Sequence, residues 1–178
     1  MSGFTLTSKE TKKKPRKLIT SQRKTARKRH QIVEQAVNVL KAFAFKVYSF
    51  SEFKALTYPP ESYVIRECPH ASLYGTPGRK EGYIHYKGVG YIFEAKTQDT
   101  GGSVDEKIPY LVFAFLASPI PNWIVYFYGE YWSETLRGQA IVEWLRQEAK
   151  KQCPDGRHFY ICCNDDEWMA LAIRLFKQ

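Results

Sequence analysis

Residues 91–97, of sequence YIFEAKT, carry a carboxylate (Glu94) and an ammonium group (Lys96) within an otherwise apolar run. Side chains alternate between the two faces of a β-strand, so Glu94 and Lys96 share one face. Burying both charges in an apolar strand costs free energy unless each finds a partner. A divalent cation would be such a partner for the carboxylate, and the lysine could then hold or polarise a water that attacks phosphorus. The pattern therefore indicates metal-assisted hydrolysis of a phosphate ester.

An acid near the neighbouring β-prone run supplies a second candidate ligand. Glu81 stands just before that run, and a glycine-containing turn at 88–90 connects the run to 91–97, which predicts a β-hairpin. If Glu81 pairs across the hairpin with Lys96, its carboxylate lies within diagonal reach of Glu94. Two carboxylates at this spacing favour Mg²⁺, which binds few carboxylates and keeps its waters and phosphate oxygens. Mn²⁺ is an acceptable substitute, and Glu67 is the alternative first acid.

The elements that must position these residues follow from periodicity, turn residues and capping. Residues 1–19 predict a flexible basic arm, and residues 20–178 predict a single domain. We expect a first helix from Thr20 or Ser21 to Tyr48, strands at 62–66, 82–87, 91–97, 123–128 and 158–163, a loop at 76–80, and helices over 103–115, 134–151 and 164–176, capped by Ser103, Ser133 and Asn164. Pro109 makes the second helix start late or kink. The protein is therefore expected to be α/β.

The positive charge is concentrated at the start of the chain. The net charge is +9, yet residues 1–30 alone hold 11 Lys/Arg and one acid, so the remainder is nearly neutral. Such an arm suits a polyanion, because each neutralised phosphate releases counterions. The alternatives are a solubilising tail and a localisation signal. The predicted DNA-binding residues of this region are Lys12, Lys13, Lys14, Arg16, Lys17, Arg23, Lys24, Arg27, Lys28 and Arg29.

Other features of the sequence have simpler interpretations. The four cysteines, Cys68, Cys153, Cys162 and Cys163, show no C-x-x-C spacing and are read as buried thiols rather than a zinc site. The aromatic residues around 126–132 predict core packing rather than a base-stacking platform. No apolar stretch of membrane length and no signal peptide are visible, which predicts a cytoplasmic protein without a membrane partner.

The hairpin residues resemble a known nuclease motif. Glu81 together with Glu94-Ala95-Lys96 resembles the PD-(D/E)xK motif, in which an acid and an E-x-K sequence lie on two strands of one hairpin. Residues 94–110 are also similar to small nucleases of phages and mobile elements, in which an acid-x-K-x-Q strand leads into a glycine–serine loop and an Asp-Glu-Lys helix start. The resemblance covers about residues 75–170. This chain departs from the family in having Glu81 where Asp is usual, with Pro77 not adjacent to it.

The resemblance implies a restriction-endonuclease-like fold, with an αβββαβ core and a mixed central sheet flanked by helices. It implies a Mg²⁺-dependent DNA endonuclease, restriction-like or structure-specific, in a bacterial or phage-infected cell, with a homodimer as one possible assembly. The catalytic residues would be Glu81, Glu94, Lys96 and Gln98, the metal ligands Glu81, Glu94 and Glu34, and further substrate contacts Ser103 and Lys107. Simpler readings are a strand-end Gln98, a helix-surface Glu34 and a capping role for Ser103.

Three other functions remain open from the sequence. The first is a catalytically inactive nucleic-acid-binding protein on the same fold, relying on the basic arm. The second is a structural or protein-interaction domain in which Glu94 and Lys96 simply pair. The third, within the enzyme class, is a Holliday-junction resolvase-like enzyme. Metal binding at Glu94 and cleavage of a panel of DNA substrates would separate them.

Overall fold

The computed structural model describes residues 30–98 and 105–177. One six-stranded sheet, ordered β1-β2-β3-β4-β5-β6, forms the centre. The strands are β1 (Lys46–Ser49), β2 (Ser62–Ala71), β3 (Pro77–Tyr86), β4 (Val89–Thr97), β5 (Asn122–Tyr128) and β6 (His158–Cys162). The helices are α1 (30–42 within the described residues), α2 (Phe50–Lys54), α3 (Pro109–Ala117), α4 (Glu130–Glu134), α5 (Leu136–Gln152) and α6 (Asp165–Phe176), and a 3₁₀ turn spans Asp105–Lys107.

The sheet is mixed, which confirms the expected α/β class and the αβββαβ order within it. The hairpins β2–β3 and β3–β4 are antiparallel, whereas β1 joins β2, β5 joins β4 and β6 joins β5 in parallel. Helices cover both faces, as parallel strands require. The architecture is consistent with the restriction-endonuclease-like fold that the sequence suggested.

The first helix is shorter than predicted and gives way to an unpredicted strand. Its end at 42 is a Schellman motif, in which the Phe45 amide donates to the Leu40 carbonyl and the Ala44 amide to the Lys41 carbonyl. Ala44 adopts a φ of 64°, the left-handed conformation that this motif needs. The chain then extends into β1, so the predicted end at Tyr48 is wrong. The sequence did not predict this helix end because Ala44 occupies the position where glycine is usual.

The β3–β4 hairpin forms with a different register. Lys87 and Gly88 both have positive φ (45° and 84°), so the turn has two residues and Tyr86 pairs with Val89. The ladder ends at the pair Gly82 and Phe93. If this register continued by one step, Glu81 would pair with Glu94 rather than Lys96, so the predicted register is wrong by two residues.

The predicted loop at 76–80 is instead part of β3, and β2 continues beyond 66. Residues 68–71 pair with 77–80 beyond the end of the β3–β4 ladder, and we call this two-stranded extension, residues 68–80, the ribbon. Its tip is closed by hydrogen bonds between Ser72 and Thr76, with Gly75 at a φ of 73°. Within the described residues, the ribbon therefore has no partner strand on its β4 side.

The side-chain alternation of β3 breaks at Glu81. A Cβ on Gly82 would contact the Phe93 side chain at 3.6 Å, in the core beside α1. Lys80, two residues earlier, has its Nζ 4.3 Å from the ring centroid of Trp123, in the core on the α3 side. Residues two apart in a regular strand share a face, so the chain contains a one-residue break. The break lies opposite Glu67, whose φ is 47°.

Two cores lie on the two faces of the sheet. On one face the apolar side of α1 packs with α6 against Phe93, Tyr126 and their neighbours. On the other, α3 and α5 pack against Val125 and Phe127. Tyr126, Phe127, Tyr131 and Trp132 are all buried and Tyr128 is partly buried, which confirms core packing for this aromatic group.

The remaining helices begin where local capping places them. Pro109 is the first residue of α3, where its missing amide hydrogen is harmless, so this helix starts late. The predicted helix over 134–151 is α5, which begins two residues later because Thr135 rather than Ser133 caps it, accepting from the Gly138 amide at 3.0 Å. The short helix α4 before it was not predicted. Asn164 caps α6 as predicted.

The four cysteines are free. Cys162 is buried and the other three are half-buried, and burial raises the pKa of Cys162 to about 12 and that of Cys163 to about 11. These thiols are therefore not activated nucleophiles. Over residues 30–98 and 105–177, no helix combines the length and apolarity needed to cross a bilayer.

Candidate active site

The Glu94–Lys96 strand forms the floor of an open groove of about 520 Å³. One wall is the ribbon tip, residues 71–74, and the other is the 3₁₀ turn and the first half of α3, residues 107–114. We call this cavity the groove. Arg157 steadies the helical wall, because its guanidinium donates to carbonyl oxygens at the end of α3, including that of Ser118 at 2.9 Å.

Glu94 and Lys96 share one face of β4, as predicted, and the Lys96 ammonium donates to Glu94 Oε1. Glu94 is 7% exposed, whereas Lys96 is half-buried at the groove surface. The pair is therefore anchored in the sheet but open to the groove from the lysine side. An ion pair this well buried has little geometric freedom, which preorganises both side chains.

Glu94 has the chemistry of a divalent-cation ligand. Its second oxygen, Oε2, is buried and has no hydrogen-bond partner within the described residues. Leaving a buried charged oxygen unsatisfied costs roughly 1–3 kcal/mol or more, and a cation would satisfy it. Among residues 30–98 and 105–177, no three His, Cys, Asp or Glu side chains converge on one point. Mg²⁺ tolerates such a sparse protein shell because it binds through one or two carboxylates and retains water.

Two further basic residues lie beside Glu94. Burial lowers the pKa of Lys80, the Glu94 carboxylate opposes that shift, and the Lys96 charge adds to it. Burial likewise lowers the pKa of His70, with Lys80 adding to the shift and Glu94 opposing it. The His70 ring meets Trp123 edge-on at 5.9 Å, so the ribbon folds over this face of the sheet.

Sequence reasoning missed Lys80, which lies in the segment predicted as a loop. Regular alternation would also have assigned it to the same face as Gly82, away from Glu94. Lys80 faces the groove only because of the break at Glu81, and no residue pattern in the sequence predicts that break. Lys107, a predicted substrate contact, is exposed on the opposite wall. Three lysines and one carboxylate thus line the groove, which is electropositive.

Gln98 follows Lys96 on the same face and is buried, and its side chain makes a structural hydrogen bond. Its Nε2 donates to Asp105 Oδ1 at 3.3 Å. The other oxygen of Asp105 accepts from the Tyr131 hydroxyl at 2.6 Å and from Arg137 Nε at 2.9 Å. Burial, followed by the Asp105 hydrogen bond, raises the pKa of Tyr131. Asp105 therefore ties the end of β4 to α4 and α5.

Glu81 and Glu34 line a different cavity, of about 870 Å³, beside α1. The Arg66 guanidinium pairs with Glu34, with Nη2 donating to Oε2 at 3.0 Å. Glu67, the alternative first acid, also lines this cavity and pairs with Arg79 at 3.2 Å. The groove and this cavity share Lys80 as a lining residue. The structure therefore brings Glu94, Lys96 and Lys107 to the groove and leaves Glu34 with Glu81 on the α1 side.

The predicted arm residues, Lys12 through Arg29, and Ser103 lie outside the described residues. A family model described as PD-(D/E)XK nuclease superfamily domain matches residues 25–168. That span includes α1, both hairpins, the groove and β6. Searches of the curated proteins and of the solved structures found no match.

Proposed function

The chain belongs to the PD-(D/E)XK nuclease superfamily, and we propose that it is a Mg²⁺-dependent DNA endonuclease. Membership implies a hydrolytic nuclease, which must bind nucleic acid, and nucleases of this superfamily generally use divalent metals. The observation that carries the proposal is the Glu94–Lys96 pair, buried on the carboxylate side and open to an electropositive groove on the lysine side.

In the proposal, Glu94 holds the metal through the buried oxygen that lacks a hydrogen-bond partner within the described residues. Glu81 is the proposed second acid, because the β3–β4 ladder ends at Gly82 and Phe93, and Glu81 and Glu94 are the next residues of their strands. Its side chain lines the α1-side cavity, so the proposal needs it to reach the metal from that side. When bound, Mg²⁺ would lower the pKa of a coordinated water and offset charge on the phosphate. Glu34 is a further proposed ligand, although its present contact is the ion pair with Arg66.

Lys96 is proposed to hold or polarise the attacking water. Its ammonium is fixed by Glu94 Oε1 at the groove floor, so its remaining hydrogens can orient a water or a phosphate oxygen. Lys80 and Lys107 face the same space from the two walls and would neutralise phosphates of the bound strand. The proposed role of Gln98 is to hold the end of β4 through its hydrogen bond to Asp105.

The basic arm is proposed to supply most of the non-specific affinity. The predicted arm residues are numerous, whereas the groove has three lysines. Each phosphate contact contributes to a linear fall of log affinity with log salt, with a slope of about −0.9 per contact on duplex DNA. Removing residues 1–19, which hold six Lys/Arg, should therefore reduce the salt dependence of binding while leaving the Mg²⁺-dependent cleavage rate at saturating enzyme nearly unchanged.

The proposal is tested by cleavage of supercoiled, linear, four-way-junction and single-stranded DNA with Mg²⁺ or Mn²⁺. We expect Lys96→Ala and Glu94→Gln each to lower the single-turnover rate by at least about 100-fold. Lys150→Ala, an exposed lysine on α5, is the matched control and should cleave normally. Glu81→Gln against Glu67→Gln decides which acid serves the metal. Absence of metal-dependent cleavage from every substrate, or full activity of Lys96→Ala, would refute the nuclease.

A phage or mobile-element origin and a homodimer are further parts of the proposal. A resolvase-like enzyme would cut the four-way junction symmetrically and sediment as a dimer. A catalytically inactive binding protein would bind every DNA through the arm, cut none, and show no change of affinity on Lys96→Ala beyond the loss of one charge.

A further inference from the structure

Two exposed tyrosines stand on opposite walls of the groove. Tyr74, at the tip of the ribbon, is 76% exposed, and Tyr110, in the first turn of α3, is 53% exposed. Both line the groove whose floor carries Glu94 and Lys96. Most other large aromatic residues of the described chain are buried or partly buried, including the group around β5. These two rings are therefore the aromatic surface next to the candidate chemistry.

The charge around these rings selects a polyanion. Lys80, Lys96 and Lys107 line the groove with Glu94 as the acidic residue of its floor. Apolar or basic partners would gain nothing from the three ammonium groups. A nucleic-acid backbone supplies the complementary charge, and its bases supply flat surfaces for the aromatic rings.

Ring faces at the rim distinguish an unpaired strand from a duplex. In a duplex the base faces are covered by stacking, and a protein meets base edges in the grooves and phosphates outside. Tyrosine rings stack on bases only where those bases are unstacked, as in single-strand-binding proteins. Tyrosine rings on both walls and lysines in the same groove therefore fit a single DNA strand. Its phosphate would lie between the walls, and the bases on either side of it would turn outward onto the rings.

We propose that the groove binds an unpaired DNA strand, with bases stacking on Tyr74 and Tyr110 on either side of the phosphate that lies over Glu94. The substrate class is then single-stranded DNA or the single-stranded branch of a forked duplex. The proposal rests on the proposed function for the statement that this phosphate is the one cleaved, but the binding itself is measured separately.

Binding is measured by fluorescence anisotropy with the full-length protein and EDTA, so that no cleavage occurs. The probes are a labelled unpaired DNA oligonucleotide, the same strand in a blunt duplex, and an RNA of the same sequence. Tyr74→Ala and Tyr110→Ala are each expected to weaken binding of the unpaired DNA by on the order of tenfold, since stacking on one base has about that effect. Duplex affinity should change less than about twofold.

The controls separate stacking from folding. Tyr74→Phe and Tyr110→Phe keep the ring and should bind as the parent does. Tyr58→Ala removes a more exposed tyrosine away from the groove and should have no effect. Circular dichroism melts should coincide for all variants, because the mutated side chains are exposed.

The outcomes are distinguishable from those of the nuclease test. If the alanine variants weaken duplex and unpaired DNA equally, or weaken neither, the strand assignment is overturned while metal-dependent cleavage can still stand. If the tyrosines matter only for unpaired DNA but no DNA is ever cleaved, the strand assignment holds and the proposed endonuclease fails. Tighter, tyrosine-dependent binding of the RNA overturns the assignment to DNA.

Discussion

Replacing Asp105 with asparagine should weaken the hydrogen bonds that hold the end of β4, although Asp105 does not itself line the groove. The Asp105 side chain is only 6% exposed and accepts from Gln98, from the Tyr131 hydroxyl at 2.6 Å and from Arg137. Asparagine has nearly the same shape but one acceptor oxygen and no charge. It cannot accept from all three donors, so at least one buried donor loses its partner.

The magnitude follows from the burial of each partner. A hydrogen bond from a buried hydroxyl to a carboxylate contributes about 1.5–3 kcal/mol. The Gln98 bond is long and contributes less, and the Arg137 side chain is 72% exposed, so its pairing contributes at most about 1 kcal/mol. We therefore expect Asp105→Asn to lower the free energy of unfolding by about 3 kcal/mol. For a chain of this size that corresponds to a fall in Tm of about 6–12 °C.

A double-mutant cycle with Tyr131→Phe isolates the central hydrogen bond. Urea unfolding of the parent, both single variants and the double variant gives a coupling free energy, which we expect to be about 2 kcal/mol. The single-turnover cleavage rate at low temperature should stay near that of the parent in each variant. If the effects of the two single variants add up to that of the double variant within about 0.5 kcal/mol, this bond does not hold the end of β4. A loss of cleavage without a loss of stability would instead place Asp105 in the chemistry.

Three other perturbations test separate parts of the structure. The folded pKa of His70 lies below its ordinary value, so as pH falls from about 7.5 to 5.5 the unfolded chain binds a proton first and the parent loses stability. His70→Gln should make this loss of unfolding free energy smaller, as measured by urea titrations at the two pH values. Gly138→Ala should lower the free energy of unfolding by more than about 3 kcal/mol, because the new Cβ would lie 1.9 Å from the Tyr131 carbonyl oxygen, whereas Leu136→Ala on the exposed side should change it by less than about 0.5 kcal/mol. Mn²⁺ at 100 times its Kd should stabilise the folded parent by about 2.7 kcal/mol, which raises its Tm by several degrees. Glu94→Gln should abolish that rise, and an equal rise in the variant would contradict metal binding at Glu94.

The centre of the fold was predictable because its signals are local. Period-two and period-3.6 patterns predicted the hairpin strands, β5, β6 and the long helices. Capping residues located the start of α6, and Pro109 marked the late start of α3. Shared orientation of Glu94 and Lys96 needed only strand alternation, and the structure confirms it.

The rest depended on backbone conformations that the residue types do not announce. Ala44 adopts a left-handed conformation usually reserved for glycine, so the end of α1 and the strand β1 were missed. Lys87 does the same in the hairpin turn, which shifted the register by two residues. Glu67, also left-handed, lies opposite the break at Glu81, and that break decides which side chains reach the groove. The three non-glycine residues with positive φ in the described chain thus account for the main errors.

The ribbon has a consequence for hydrogen exchange. Strand residues 82–86 of β3 have a hydrogen-bonded neighbour on both sides, whereas residues 77–80 pair only with 68–71. Amides of the ribbon should therefore exchange through local opening, well below the free energy of global unfolding, while amides of the groove floor in β4 should exchange only with the whole domain. The ribbon wall of the groove would then open and close many times while Glu94 and Lys96 stay fixed in the sheet. Such opening would give the proposed DNA strand a side entrance to the groove.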